Sequence, residues 1–427
     1  MKNYKPRIAD RILKHRLMSK GAVLVEGAKW CGKTTTATQQ AKSLLFMQDP
    51  AQKEQNLSLA RISPARLLEG EVPRLIDEWQ LAPQLWDAVR FEVDKRDDFG
   101  QFILTGSATP ADTSQISHTG TGRISRMLMR PMSLYESGES NGAVSLGTLF
   151  KSENMDADIN GNSCFDLDEL AFLICRGGWP KAVCIEEEEI ALRQAIDYFD
   201  AVVSFDISNV DEIKRDEVRA ARLLRSYARH IGSQAKFTEL AGDLQHNEAM
   251  PISPATVQLY VQALNKLFVL EDVPIWNPNL RSRTAIRTTD TRYFTDPSVA
   301  AAAIGTGPED LIGDLRTMGL FFENMVIRDL RVYAELIDGK VYHYRDRNGL
   351  KCDAVIHLRN GRYGLVEIKL GSDRIEEGVA SLNKLESIID TDKMNSPAFK
   401  MVIVGKGPYA YRRKDGILVA PIGCVGP

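Results

Sequence analysis

Gly27-Ala28-Lys29-Trp30-Cys31-Gly32-Lys33-Thr34 places two glycines, a lysine and a hydroxyl at the spacing G-x-x-x-x-G-K-[ST]. A loop of this kind turns backbone N–H groups toward phosphate oxygens, and the helix after it adds partial positive charge. Lys33 is expected to reach the outer phosphates of ATP and Thr34 to ligate Mg²⁺, with Thr35 completing the loop. Further on, "RLIDEWQ" ends an apolar run in Asp77, expected in the Mg²⁺ shell, followed by Glu78, expected to orient and deprotonate a water. In "FILTGSAT", Thr105 and Ser107 either sense the γ-phosphate or cap the next turn. His118, Arg123, Arg126 and Arg130 are candidates to reach a neighbour's γ-phosphate, ordinary surface placement being the alternative.

A second constellation lies near the carboxyl terminus, in "KCDAVIHLRNGRYGLVEIKLG". Its two apolar-alternating runs flank Asn360-Gly361 and predict a hairpin. Burying Cys352, Ala354, Ile356 and Leu358 on the same face as Gly364, Val366, Ile368 and Leu370 pairs 352 with 370 and 353 with 369. Asp353, Glu367 and Lys369 then share the other face. That register needs a three-residue loop or a bulge, whereas a two-residue Asn-Gly turn puts Asp353 on the wrong side. Two carboxylates and a lysine so placed are expected to bind Mg²⁺ and activate a water for phosphodiester attack. Upstream, Glu323 shares a helical stripe with Leu320, Ile327 and Leu330, which is costly unless the carboxylate is paired or metal-bound. The bland alternative is an ion-pair cluster, or a fold of this kind without activity.

Positioning these groups requires several cores. At roughly 150 residues per domain, 427 residues suggest about three. Strands expected at Ala22 to Glu26, Leu44 to Gln48, Val72 to Asp77 and Gln101 to Thr105 alternate with helical patterns, which predicts a parallel sheet between helices. The polar stretch before Gly161 reads as a linker. The expected domains are therefore an α/β P-loop ATPase domain over 1–160, a helical and winged helix-turn-helix region over 161–284, and an α+β domain over 285–427. In the middle region Ser253 is a candidate N-cap, with Val257, Tyr260, Val261, Leu264 and Phe268 on one face. The opposite face, Thr256, Gln258, Gln262, Asn265 and Lys266, is polar but barely basic, so the winged helix serves either packing or duplex recognition.

Composition narrows the setting. The net charge of −3 gives no global attraction for nucleic acid, so DNA or RNA binding is expected to be local. The first twenty residues and Arg281, Arg283, Arg287 and Arg292 are the basic candidates, a solvated face being the commoner outcome. The six cysteines form no C-x-x-C pair, and neither a zinc site nor a disulfide framework is expected. No apolar run reaches the roughly 18 to 20 residues of a spanning helix, and no secretory signal is seen, so a cytoplasmic protein without a membrane partner is expected.

"GAKWCGKTT", "LIDEWQ", "FILTGSATP", "GTGRISRMLMRPMSLYE" and "RGGWP" together resemble the bacterial AAA-family ATP-binding proteins that carry a domain-of-unknown-function 4143 region. The resemblance spans nearly the whole chain. It implies ATP binding, an additional-strand P-loop core and a trailing domain similar to PD-(D/E)XK nucleases, with Lys33, Asp77 and Glu78 in the ATPase roles. It also implies a catalytic place for Glu323, because the first helix of such nucleases commonly supplies a glutamate. Cys352 stands where their motif has proline. The expected function is ATP hydrolysis coupled to a nuclease-like domain acting on DNA. The alternative is a nucleotide-dependent regulatory or assembly module whose nuclease-like domain only binds. Oligomer formation, on which any arginine supplied in trans depends, is left open.

Overall fold

A computed structural model of the chain describes residues 4–107, 119–151, 161–163, 165–211, 213–245, 252–277, 289–390 and 394–427. The chain divides into two compact units. The first comprises Met1–Pro131, Ser204–Asp216 and Gln262–Val269, and the second Met132–Val203, Glu217–Val261 and Leu270–Pro427. These units cut across the three consecutive segments expected, because two later stretches of chain return to the first core.

The first unit is built on a five-stranded sheet of β1 (Ala22–Glu26), β2 (Ser43–Phe46), β3 (Arg74–Asp77), β4 (Phe102–Gly106) and β5 (Ile124–Leu128), in the order β2-β3-β4-β1-β5. Every pairing is parallel. Parallel strands need long crossovers, and the helices between them cover the faces, so β1 and β4 are apolar and buried almost throughout. The core gathers Ala22, Leu24, Ile76, Phe102 and Leu104 with Trp79, Trp86 and Val89. β4 separates the strand that precedes the glycine loop from the strand that ends in Asp77, which is the additional-strand arrangement expected. β5 was not among the expected strands; in "ISRML" only Met127 is buried, so its pattern is faint.

The second unit contains β6 (Val144–Ser145), β7 (Gly161–Asn162), β8 (Gly339–Arg345), β9 (Lys351–Leu358), β10 (Tyr363–Lys369), β11 (Phe399–Val404), β12 (Tyr409–Arg412), β13 (Leu418–Pro421) and β14 (Val425–Gly426). Seven form a mixed sheet, β7-β12-β13-β11-β10-β9-β8, while β14 pairs with β6. Val379, Leu382 and Leu385 of the helix Ile375–Ile388 pack with Val355, Leu365, Val402 and Val419. The long helix Leu315–Leu336 carries Arg328, which is 1% exposed and bound to Asp296 at 2.8 Å and Asp329 at 2.7 Å. Such a buried triad is costly to desolvate and costlier to break.

The helices Phe237–Gln245 and Pro254–Lys266 follow one another as expected, the second with Thr256 N–H donating to Ser253 Oγ at 3.1 Å. After them, isolated antiparallel bridges join Leu270 to Phe294 and Val273 to Thr291. No helix among the described residues is long and apolar enough to cross a membrane.

Candidate functional site

The glycine loop sits between the end of β1 and the helix Lys33–Gln40. Gly27 has φ +151°, and a Cβ there would lie 2.1 Å from the Met129 carbonyl oxygen, so close backbone approach as well as conformation demands glycine. Gly32 has φ +100° and Trp30, half exposed, has φ +66°. Lys33 is buried, and its ammonium donates to the carbonyl oxygens of Gly27 at 2.9 Å and Ala28 at 2.8 Å. The lysine is thus held inside the loop by the loop's own backbone.

Asp77, 1% exposed at the end of β3, is the hub of the site. Its Oδ1 accepts from Thr34 Oγ1 at 2.7 Å and from the Thr105 hydroxyl, and its Oδ2 accepts from Gln48 Nε2 at 2.6 Å. Parallel pairing of Asp77 with Thr105 sets that hydroxyl beside the carboxylate. Glu78 follows in the left-handed region at φ +57°, which for a side chain with a Cβ costs roughly 1–2 kcal/mol. Strain of this size concentrates at functional positions. Its Oε2 accepts from Ser107 Oγ at 3.0 Å and from the Gln80 amide. Thr105 and Ser107 thus each donate to one of the two carboxylates.

Among the remaining loop residues, Lys29 Nζ lies 2.6 Å from Asp206 Oδ1, and Cys31 Sγ contacts the Met129 carbonyl oxygen at 3.3 Å. Arg7 is a residue the sequence reading missed. It is buried, and it donates to the carbonyls of Cys31 and Arg130 at 2.8 Å each, bracing the loop from the amino-terminal segment. Only its place among neighbouring basic residues was visible in sequence, and nothing there marks it as the buried one. Arg123 pairs with Asp94 at 2.7 Å, and Arg126 lies 3.5 Å from Glu26 and over the Trp86 ring. His118 lies outside the described residues.

In the second unit the hairpin closes with Leu358 N–H donating to the Arg362 carbonyl at 2.9 Å, leaving a three-residue loop in which Gly361 has φ +85°. Pairing runs Tyr363 to His357 and Val366 to Ala354. The expected register is thus corrected by two residues: Asp353 falls opposite Glu367, not Lys369. A shift of two preserves the faces, so the three side chains remain together. Lys369 Nζ lies 2.8 Å from Glu367 Oε2 and 3.8 Å from Asp353 Oδ2, with Lys351 Nζ 3.6 Å from Asp353 Oδ1. Asp353 also accepts from the Ile368 N–H at 2.9 Å, and Glu367 from Ser381 Oγ at 3.2 Å. Ser381 is a second residue the sequence did not point to.

The trio is enclosed: Asp353 and Lys369 are 7% exposed and Glu367 1%. Burial and then the Asp353 charge push the Glu367 carboxyl up to about 8. The same two causes push Glu323 up to about 7, and its carboxylate accepts from the buried Tyr293 hydroxyl. Burial opposes the charge on Lys369, but Asp353 and Glu367 outweigh it and hold the ammonium above the usual lysine range. Burial thus disfavours the ionised form of both Glu323 and Glu367, the direction in which a carboxyl is shifted toward a general-acid role. Among the described residues no three His, Cys, Asp or Glu side chains gather in an arrangement that could hold a metal ion, so Asp353 and Glu367 offer two carboxylates.

The basic segment after the helix pair is corrected in part. Arg292 is buried, bound to Asp272 through Nη1 and stacked over Tyr227 and Phe237, which removes it from any nucleic-acid contact. Arg281, Arg283 and Arg287 lie outside the described residues. Cys31, Cys175, Cys184, Cys352 and Cys424 are free thiols.

With this geometry in view, residues 19–138 match the AAA domain family. Residues 167–310 and 318–425 match two domains of unknown function, DUF8612 and DUF4143. Over 420 residues, 97% of this chain and 83% of the relatives, the sequence is 22% identical to the uncharacterized proteins Mb2031c of Mycobacterium bovis and Rv2008c of Mycobacterium tuberculosis. The Walker-type ATPase PABY2304 of Pyrococcus abyssi is similar at 14% identity and a TM-score of 0.42, over 70% of this chain and 96% of that one. The chain carries an AAA-type domain over residues 19–138 and a DUF4143 region over residues 318–425.

Proposed function

We propose that the protein binds and hydrolyses ATP in its first unit, and that its second unit carries a nuclease-type site for DNA or RNA. The observation that carries the ATPase reading is the Asp77 hub, which joins Thr34 and Thr105 on one carboxylate beside the glycine loop. Thr34 and Asp77 form an oxygen donor set that suits Mg²⁺, which when bound neutralises phosphate charge. Lys33 exchanges its carbonyl partners for phosphate oxygens. Glu78, oriented by Ser107 and Gln80, accepts the proton of the attacking water. Lys33→Ala is expected to weaken binding of a fluorescent ATP analogue at least about tenfold, roughly 1.4 kcal/mol. Glu78→Gln is expected to keep the wild-type Kd and to lose turnover by about 10² or more. Equal affinity in wild type and Lys33→Ala would overturn the assignment.

The nuclease-type reading is supported by the shared face of Asp353, Glu367 and Lys369. The two carboxylates suit a divalent cation, whose chemistry there is to polarise the scissile phosphate. Lys369 donates to developing negative charge, and Glu323, whose carboxyl burial raises to about 7, is the group that holds a proton. Linear, nicked and branched DNA and RNA, incubated with Mg²⁺ or Mn²⁺ with and without ATP, test it. Asp353→Asn is expected to abolish cleavage while ATP turnover stays within about twofold of wild type, and Lys369→Ala to slow cleavage without loss of metal binding. Wild-type cleavage by Asp353→Asn rejects the site. The enclosure of Glu367 favours a second reading, in which this unit binds without cutting and the protein is a nucleotide-dependent regulatory module. Binding without cleavage under every condition selects that reading.

A further inference from the structure

Strands β8 and β9 are joined by the turn 346–350, and Arg345 and Lys351, the residues that flank it, are directly paired. Side chains of such a pair stand on one face of the sheet, with Cβ atoms roughly 4.5–5.5 Å apart. Lys351 lies two residues before Asp353 on β9, so this is also the face of Asp353, Glu367 and Lys369. The Lys351 ammonium comes to 3.6 Å from Asp353 Oδ1, and that of Lys369 to 3.8 Å from Oδ2 of the same carboxylate. Exposure rises outward along the face. Asp353 and Lys369 are buried, the Lys351 side chain is 58% exposed, and Arg345 is exposed, as is Arg347 in the turn.

Like charges directly opposite one another weaken an antiparallel pair, so Arg345 facing Lys351 works against the hairpin's own stability. The turn adds a third cation, Arg347, and one carboxylate, Asp346. Oδ1 of Asp346 accepts from the N–H groups of Asn348 at 2.8 Å and Leu350 at 2.9 Å, which shapes the turn. Among the described residues neither Arg345 nor Arg347 forms an ion pair. The hairpin end therefore presents a positive rim beside the buried carboxylates.

We infer that the rim of Arg345, Arg347 and Lys351 binds the phosphodiester backbone of a nucleic-acid strand and leads it to Asp353 and Glu367. Guanidinium forks take phosphate oxygens in pairs, and the two arginines stand where a strand lying along that face enters or leaves. A phosphate approaching two carboxylates is repelled by them, and cations at the rim offset that repulsion. The inference deepens the nucleic-acid part of the proposed function and rests on it for the class of ligand.

The test is fluorescence anisotropy of the full-length protein with labelled duplexes of about 30 base pairs, DNA and RNA, between about 50 and 200 mM salt. EDTA is present, so that no metal bridges phosphate to the carboxylates and the rim itself is read. The double variant Arg345→Gln, Arg347→Gln is expected to weaken binding at least about tenfold and to flatten the slope of log K against log salt by about 1.8. The Arg345→Lys, Arg347→Lys protein, which keeps the charges, is expected to retain the slope and so separates charge from folding. Unchanged affinity and slope in the glutamine variant, equal flattening in the lysine variant, or no duplex binding by wild type overturns the inference. So does a polyglutamate peptide that binds as tightly as the duplex and is lost in the glutamine variant, because the rim then serves an acidic protein. Binding that depends on these arginines without cleavage in Mg²⁺ rejects the nuclease reading alone. Cleavage by wild type with an unchanged salt slope in the glutamine variant rejects this inference alone.

Discussion

His343 is 4% exposed, with Nδ1 3.0 Å from the Val273 carbonyl oxygen and Nε2 3.0 Å from the Gln234 amide nitrogen. A neutral ring satisfies both, Nδ1 donating and Nε2 accepting. Burial lowers its pKa to about 4 from an ordinary value near 6.5. The unfolded chain thus takes up a proton between those values while the folded one does not, and stability falls as pH drops from about 6.5 toward 4. The full loss is on the order of 3 kcal/mol. Glu367 has the opposite sign: raised to about 8, it favours the folded state most at low pH, and that contribution is lost as pH rises from about 4.5 through 8. Urea unfolding of wild type and His343→Gln at pH 7.5 and 5 isolates the histidine. The difference in unfolding free energy between the two pH values is expected to move in favour of acid stability in the variant, and an identical difference would remove His343 from the account.

At the scale of elements, the β9–β10 hairpin decides whether the acidic cluster exists. Its loop of Arg359, Asn360 and Gly361 keeps Asp353 on the face of Glu367 and Lys369, and a loop one residue shorter would turn it away. Gly361 supplies the left-handed residue that a three-residue hairpin loop needs, with nothing within 4 Å of where a Cβ would stand. Gly361→Ala therefore costs conformational strain alone, roughly 1–2 kcal/mol, with Asn milder. Denaturant unfolding is expected to show that order, and an alanine variant as stable as wild type would mean the loop adopts another form.

For the whole molecule, the unexpected feature is that the first core is discontinuous in sequence. Ile207 and Val210 of one returning segment and Ala263, Leu264, Leu267 and Val269 of the other are buried. Asp206 of the first segment meets Lys29 of the glycine loop, and Lys266 of the second lies 3.7 Å from Asp211 of the first. A fragment cut at residue 160 lacks these side chains, each worth about 1–3 kcal/mol of burial for the larger ones. It is expected to melt well below the corresponding transition of the full chain and to bind ATP more weakly, as calorimetry and titration would show. A fragment with full-length affinity and melting would mark the returning segments as dispensable.

The candidate nucleotide site was legible because its pattern is local: the loop, Asp77 and Glu78 each sit at the end of a strand whose apolar run announces it. The pairing that brings Thr105 to Asp77 follows from parallel order, which alternating strands and helices imply but do not rank. In the second unit the even register, and hence the common face of Asp353, Glu367 and Lys369, followed from the period-two pattern. The two-residue shift did not, since any even shift satisfies that pattern equally. Arg7 beneath the loop, Ser381 on Glu367, Tyr293 on Glu323, and Arg292 turned inward toward Asp272 were beyond reach, because burial of a polar side chain depends on partners far along the chain. The sequence by itself determined the place of the glycine loop between a strand and a helix and the parallel class of the first sheet, both encoded in short-range pattern. Only the tertiary structure decided which carboxylates are held, by what donors, and which later segments complete the first core, because those are long-range contacts that no local periodicity records.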